Sequence, residues 1–174
     1  NNVTIMTAPI IPYDERPYRP CVGIFLINDS GMVFAGRRID SRAEAWQMPQ
    51  GGIDLGETPL EACLREMEEE IGTRKATVLH EIEDWLNYDI PIALAERLWH
   101  GQYKGQKQKW MLLHYNGADA DINIDTAEPE FCEWKWLSPD RLIDLAVPFK
   151  RDVYRHVLTA FKPHIEQAQI ISAK

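Results

Sequence analysis

"GETPLEACLREMEEEIG", Gly56 to Gly72, packs six carboxylates and one arginine into 17 residues. Its ends read as helix signals. Thr58 can cap the free N–H groups, Pro59 suits the first helical position, and Glu61 completes a capping box. Gly72 is a stop, because glycine accepts a left-handed conformation cheaply. The spacing predicts a helix over 59–71. At about 100° per residue, Leu60, Cys63, Leu64, Met67 and Ile71 fall on one side and pack inward. Glu66, Glu69 and Glu70 stand at i, i+3 and i+4 and share another face, with Ala62 leaving room one turn earlier. Arg65 is four residues from both Glu61 and Glu69 and can pair with either. Exposed like charges at this spacing cost only about 0.2–0.5 kcal/mol. Two readings of the acidic face therefore stand side by side: a solvated surface, or a site for a hard cation. Three converging carboxylates suit Mg²⁺ or Mn²⁺.

The rest of the chain limits the setting. Its 174 residues fit one domain with a real core, and 45% hydrophobic against 26% charged residues reads as globular. No apolar run approaches the roughly 18 residues of a membrane helix, so no membrane partner is expected. The first residues, "NNVTIMTAPI", lack the basic and apolar regions of a signal peptide. Cys21, Cys63 and Cys132 are odd in number and lack CxxC spacing, which argues against a disulfide framework or zinc site and for a reducing cytoplasm. His80, His100, His114, His156 and His164 show no ligand spacing either. Net charge is −8, of which −5 falls between Glu57 and Glu70. That balance disfavours a generic nucleic-acid coat protein. A bound cation in the acidic stretch would offset much of it.

Hydrophobic patterning gives mixed strands and helices. "VGIFLI" (22–27) and "MVFAGR" (32–37) flank the turn "NDSG" and predict a hairpin. "SRAEAWQMPQGGIDLGE" (41–57) reads as loop, with a short strand at its start. "ATVLHEIE" (76–83), "KWMLLHY" (109–115) and "FCEWKWL" (131–137) read as strands. "IALAERLWH" (92–100) fits short helix or loop. "PDRLIDLA" (139–146) and "KRDVYRHVLTAF" (150–161) read as helices. Residues 1–16, with Pro9 and Pro12, form an extension, 17–165 the domain, and 166–174 a tail. This is an α/β sandwich. Asp119, Asp121, Asn123 and Glu130 mimic calcium-loop positions, but Ile124 stands where the sharp turn needs glycine, so no EF-hand is expected.

A wider window adds a family resemblance. Gly51, Glu57, Arg65, Glu66, Met67, Glu69, Glu70 and Gly72 match the Nudix box, G-x5-E-x7-R-E-U-x-E-E-x-G-U, where U is a bulky aliphatic residue. Thr73 departs at the last, packing position. The segments "YRPCVGIFLIN", "WQMPQGG", "DWLNYDIP", "GQKQKW", "EPEFCEWKWL" and "VPFKRDVYR" extend the likeness from about Tyr18 to Phe161. They resemble the branch of bacterial RNA pyrophosphohydrolases and asymmetric diadenosine tetraphosphate hydrolases. The resemblance implies an α/β/α sandwich with a mixed sheet, and Mg²⁺ or Mn²⁺ held by Glu66, Glu69 and Glu70. It implies a metal-dependent hydrolase of a phosphoanhydride, acting on 5′-triphosphorylated RNA or a dinucleoside polyphosphate. Such a site would otherwise repel its anionic substrate, and metal ions invert that field. One of these glutamates, or one from a loop, serves as base. Arg65 and Glu57 orient the site.

The same likeness assigns the substrate side. Arg19, otherwise a surface arginine, stands beside the base, where a guanidinium stacks well. Arg38 matches a ligand-side arginine, and Gln50 can reach phosphate. Trp46 is read as core. Tyr88 lies near the phosphates. Lys107 and Lys109 share one face if already in strand, and as lysines default to solvent, but the likeness gives them phosphates. Glu130, otherwise a loop acid, adds a metal-site carboxylate. Val147, Phe149 and Lys150 bear on binding a nucleotide base. A non-catalytic nucleotide sensor is the competing class, and degenerate boxes of that kind lose glutamates that this chain keeps.

Overall fold

The computed structural model describes residues 11–40 and 45–172. Its centre is a parallel pair of strands, β1 (Tyr18–Ile27) and β7 (Gly105–Tyr115). They run in register from Tyr18 opposite Gly105 to Ile27 opposite His114. Both are apolar on both faces, as strands covered on two sides must be. Val22, Ile24, Leu26, Met111 and Leu113 face one core, and Phe25, Ile27, Trp110 and Leu112 face the other.

The remaining strands pair antiparallel around this axis. β2 (Val33–Arg38) meets β1 at Ile27 across the expected turn, and β4 (Gln50–Gly52) pairs with Cys21–Gly23. β5 (Ala76–Glu81) and β6 (Leu86–Asp89) divide the outer edge of β7 between them. β3 (Trp46–Gln47) and β8 (Phe131–Leu137) flank β2. Helix α1 (Pro59–Ile71) covers one face, and α3 (Pro139–Leu145) and α4 (Pro148–Ser172) cover the other. A short α2 (Ile92–Ala95) buries Ala95. This is the expected α/β/α sandwich with a mixed sheet.

Helix α1 has the bounds its caps predict. The Thr58 hydroxyl accepts from the Glu61 N–H at 3.2 Å, and Gly72 is left-handed at φ 76°. Its faces differ from expectation. Leu60 is 43% exposed, while Ala62, Cys63, Met67, Glu70 and Ile71 are buried. The small Ala62 lets the helix approach β1 and β4 closely, and that contact rotates Glu70 inward.

Other elements outrun their sequence signals. β1 begins at Tyr18 and passes through Pro20, whose carbonyl accepts from the Ile53 N–H. β6 carried no strand signal. Helix α4 continues through Pro163 to Ser172, well past residue 161. The ambiguous 92–100 segment resolves into α2 and a tight turn with Trp99 and His100 at φ 49° and 55°. Of the expected extension, residues 1–10 lie outside the described residues, as do 41–44 of the expected loop. Tyr13 donates to the Ile90 carbonyl at 2.7 Å, and buried Arg16 pairs with Glu96 at 2.9 Å.

All three cysteines are free thiols, and Cys21 and Cys63 are buried. Asp119 accepts from the Trp136 indole and Asp121 pairs with Lys75, so these acids do not surround a common point. Among the described residues, no helix is long and apolar enough to cross a membrane.

One buried contact ties the α4 layer to the loop ahead of β4. The Met48 N–H donates to the Tyr154 hydroxyl at 3.0 Å. Tyr154→Phe would strand this N–H in the core. Urea denaturation should show a loss of about 1–3 kcal/mol.

Candidate active site

Adjacent residues on a strand face opposite sides of the sheet. In β4 both such positions are glycines, and each leaves room for a charged group. A side chain on Gly51 would overlap the Glu66 carboxylate, and one on Gly52 would overlap the Arg19 guanidinium. The sheet is one backbone thick here, with an acidic helix on one side and an arginine on the other.

Arg65 pins that helix in place. Its Nε and Nη2 donate to the two oxygens of Glu57 at 2.7 and 2.8 Å. Nη2 also donates to the Gly52 carbonyl at 2.8 Å. Nη1 donates to Glu66 at 2.8 Å and Glu69 at 3.2 Å. The sequence offered Glu61 or Glu69 as partners. Glu57 takes the bidentate bond instead, because the loop from β4 folds back over the helix start. The Glu57 carboxyl is held down to about 2 by the Arg65 hydrogen bonds, with help from the Asp54 N–H.

Glu66, Glu69, Glu70 and Glu130 line one cleft of about 440 Å³ together with Glu68, Thr126 and Glu128. Glu70 lies deepest, 6% exposed, and its Oε2 has no hydrogen-bond partner among the described residues. Burial pushes its carboxyl well above the usual range, and the negative charges of Glu66 and Glu130 push it further. Burial also raises Glu66, against the pull of Arg65. Arg38 clamps Asp40 at 2.7 and 2.8 Å and stands 3.7 Å from Glu130. Among the described residues, no three His, Cys, Asp or Glu side chains are arranged to enclose a metal ion by themselves. The carboxylates share an open cleft, with Arg65 as the nearest cation to Glu66. Hard divalent ions keep several waters and take further ligands from substrate phosphates, so an open acidic cleft with an orphaned buried oxygen fits one.

The expected substrate residues fall on β1, β2, β4, β6, β7 and the start of α4. The Arg19 guanidinium lies 5.2 Å over the Trp99 ring. Gln50 accepts from Gln108, which accepts from the Trp110 indole, both at 3.0 Å. Tyr88 is buried and stacks on Phe149, with ring centroids 6.0 Å apart. Lys150 is buried and donates to Gln47 at 3.0 Å. Burial, followed by the Arg38 charge, pushes its ammonium down to about 8. Val147 and Phe149 are half-buried beside it. Lys107 and Lys109 share a face as their alternation predicts, and both ammonium groups lie over the Trp85 ring at 5.0 and 5.3 Å. Trp46 is core, 5% exposed. Sequence reasoning missed Trp99, Gln47 and Gln108. Their partners in the site, Arg19, Lys150 and Gln50, are far off in the chain.

A mixed sheet between helices, with a glutamate-rich helix laid on a Gly-Gly strand by one arginine, defines a Nudix-type sandwich. The NUDIX domain model matches residues 17–157, and the chain belongs to that family. It is 54% identical to the RNA pyrophosphohydrolase of Roseobacter denitrificans, over 86% of this chain and 94% of that one. It is 58% identical to the RNA pyrophosphohydrolase of Rhodospirillum rubrum, over 82% of this chain and 86% of that one. The fold is also that of the E. coli dihydroneopterin triphosphate pyrophosphohydrolase, with a TM-score of 0.62 at 19% identity over 81% of this chain and 97% of that one.

The Glu57–Arg65 pair carries a pH signature. A carboxyl held at about 2 in the fold and near 4.5 when free stabilises the fold above 4.5, and that contribution is lost as pH falls towards 2. Glu57→Gln should lower Tm at neutral pH and flatten the pH dependence of stability across this window in thermal melts.

Proposed function

We propose that the protein removes pyrophosphate from the 5′-triphosphate end of RNA, leaving a 5′-monophosphate and so promoting mRNA decay in a bacterial cytoplasm. Cleavage of diadenosine tetraphosphate to ATP and AMP is a second activity of the same site, since both substrates join a nucleotide to a polyphosphate. The observation that carries the reading is the buried, unpartnered oxygen of Glu70 among Glu66, Glu69 and Glu130. Clustered carboxylates under partial burial are costly without a compensating cation. The names of the relatives supply the substrate class.

Glu66, Glu69, Glu70 and Glu130 would hold Mg²⁺ or Mn²⁺. When bound, such an ion supplies positive field for phosphate oxygens and acidifies the attacking water. The chain's own groups do the rest. A glutamate of the cleft takes the proton of the attacking water. Arg65 holds Glu66 and Glu69 in one orientation and ties them to the strand beneath. Arg38, beside Glu130, meets the polyphosphate from the opposite wall. Lys107 and Lys109 add charge for phosphates further along. Arg19, on the far side of Gly52, meets the nucleotide with Gln50, Tyr88, Val147, Phe149 and Lys150. A nucleotide sensor has less support, because Arg65, Glu66, Glu69 and Glu70 of the box are all intact.

Two measurements test this. With Mg²⁺ present, kcat/KM on 5′-triphosphorylated RNA should exceed that on diadenosine tetraphosphate at equal concentration. A reversed preference makes the protein a dinucleotide hydrolase, and no turnover of either makes it a sensor. Glu70→Gln should cost about two orders of magnitude or more in turnover and weaken Mg²⁺ binding. Its metal-free Tm should be unchanged or higher, because the substitution removes a buried charge facing two others.

A further inference from the structure

A groove between β6 and α4, next in sequence to Tyr88 and Phe149, is lined by residues that the proposed reaction does not use. One wall is Trp85, Leu86 and Asn87 at the start of β6, and the other is Asp152, Val153 and His156 on α4. The groove holds about 310 Å³. Phe149, Val153 and His156 fall at i, i+4 and i+7, so one stripe of α4 leads from the nucleotide side to the far end of the groove. Seven residues of helix span about 10 Å.

Trp85 closes that far end. It is 40% exposed, a large aromatic surface left open to solvent. It stands next to Leu86, which pairs with Gln108, so its place is opposite Lys109. That register puts both ammonium groups against its ring. The Lys109 ammonium also bonds to the Glu83 carbonyl. Asp152, the acid facing the groove, is neutralised by Arg155 at 2.8 Å. The groove is therefore bordered by an exposed indole whose ring two cations flank from the α1 side of the sheet, with its own acid paired. Aromatic faces that stack bases beside cations that meet phosphates are how proteins hold single-stranded nucleic acid without reading sequence.

We infer that Trp85, with Lys107 and Lys109, is a stacking platform for an RNA nucleotide downstream of the 5′ end, reached along the groove between β6 and α4. This rests on the reading of the protein as an RNA-end hydrolase. It gives that reading a length dependence. An RNA of two residues is too short to occupy both the nucleotide side and the platform. A longer strand occupies both and gains affinity from the second.

The test is a length series with the full chain and Mg²⁺. Wild type and Trp85→Ala are compared on 5′-triphosphorylated dinucleotide, tetranucleotide and octanucleotide RNA, and on diadenosine tetraphosphate. The inference expects a Trp85→Ala defect that grows with length, reaching about tenfold in kcat/KM on the octanucleotide and residing in KM. Trp85→Phe, which keeps a stacking face, should recover most of it. An equal loss at every length, not recovered by Phe, overturns the inference and makes Trp85 a packing residue. Unchanged turnover at every length also overturns it, and leaves the indole to a protein partner. If wild type turns over diadenosine tetraphosphate but no RNA, the proposed function itself fails and this inference with it. If wild type turns over RNA with no gain from length, only the platform fails.

Discussion

Arg65 is the constraint on which the site depends. One guanidinium, with five donors in a fixed plane, bonds a loop carboxylate, two helix carboxylates and the carbonyl of Gly52. Lysine has the charge but not the fork, and cannot make this set of bonds. Helix α1, β4 and the loop between them are thereby locked into one unit. Without that lock, the like charges of Glu66, Glu69 and Glu70 would favour turning the helix out towards water. With it, Glu70 stays buried and Glu66 lies flat on Gly51. The helix dipole gives no help, because the glutamates sit in the last half of α1, towards its negative end.

The site thus holds electrostatic cost in one place and balances it with rigid packing elsewhere. Across the thin Gly51–Gly52 strand the opposite charge appears. Arg19 lies under Gly52, and the buried Lys150 is further along, on α4. Acid on one side of a backbone and base on the other is a layout for a substrate whose two ends differ. Polyphosphate needs cations gathered by carboxylates, and a nucleotide needs planar donors and aromatic faces. The fold meets both needs by alternating residues along a strand of three residues.

How far the sequence disclosed this follows from the range of each signal. The bounds of α1 were legible because Thr58, Pro59 and Gly72 act within one turn. Its inward face was partly misread: periodicity put Leu60 inside, and contact with the sheet chose Ala62. β8 was legible from its alternation. β4 and β6 were not, because "QGG" and "LNYD" lack strand propensity and exist only as partners of β1 and β7. The run of α4 past Pro163 shows tertiary packing overriding a local breaker, with Ile165 buried two residues beyond it. Of the site, the glutamates and Arg65 were readable as a spacing on one helix. The pairings of Gln50 with Gln108, Arg19 with Trp99 and Lys150 with Gln47 join residues from 58 to 103 positions apart or on separate layers, and no local pattern encodes them.

The parallel pairing of β1 with β7 also bears on how the chain is made. β1 leaves the ribosome apolar on both faces, and its partner is encoded nearly eighty residues later. At ordinary rates of synthesis that wait is on the order of ten seconds. During it, a strand of the aggregation-prone kind is exposed. The next long element to emerge is α1, whose buried face contacts β1 and whose other face carries the clustered glutamates. A helix laid on β1 covers one of its two apolar faces before β7 is made.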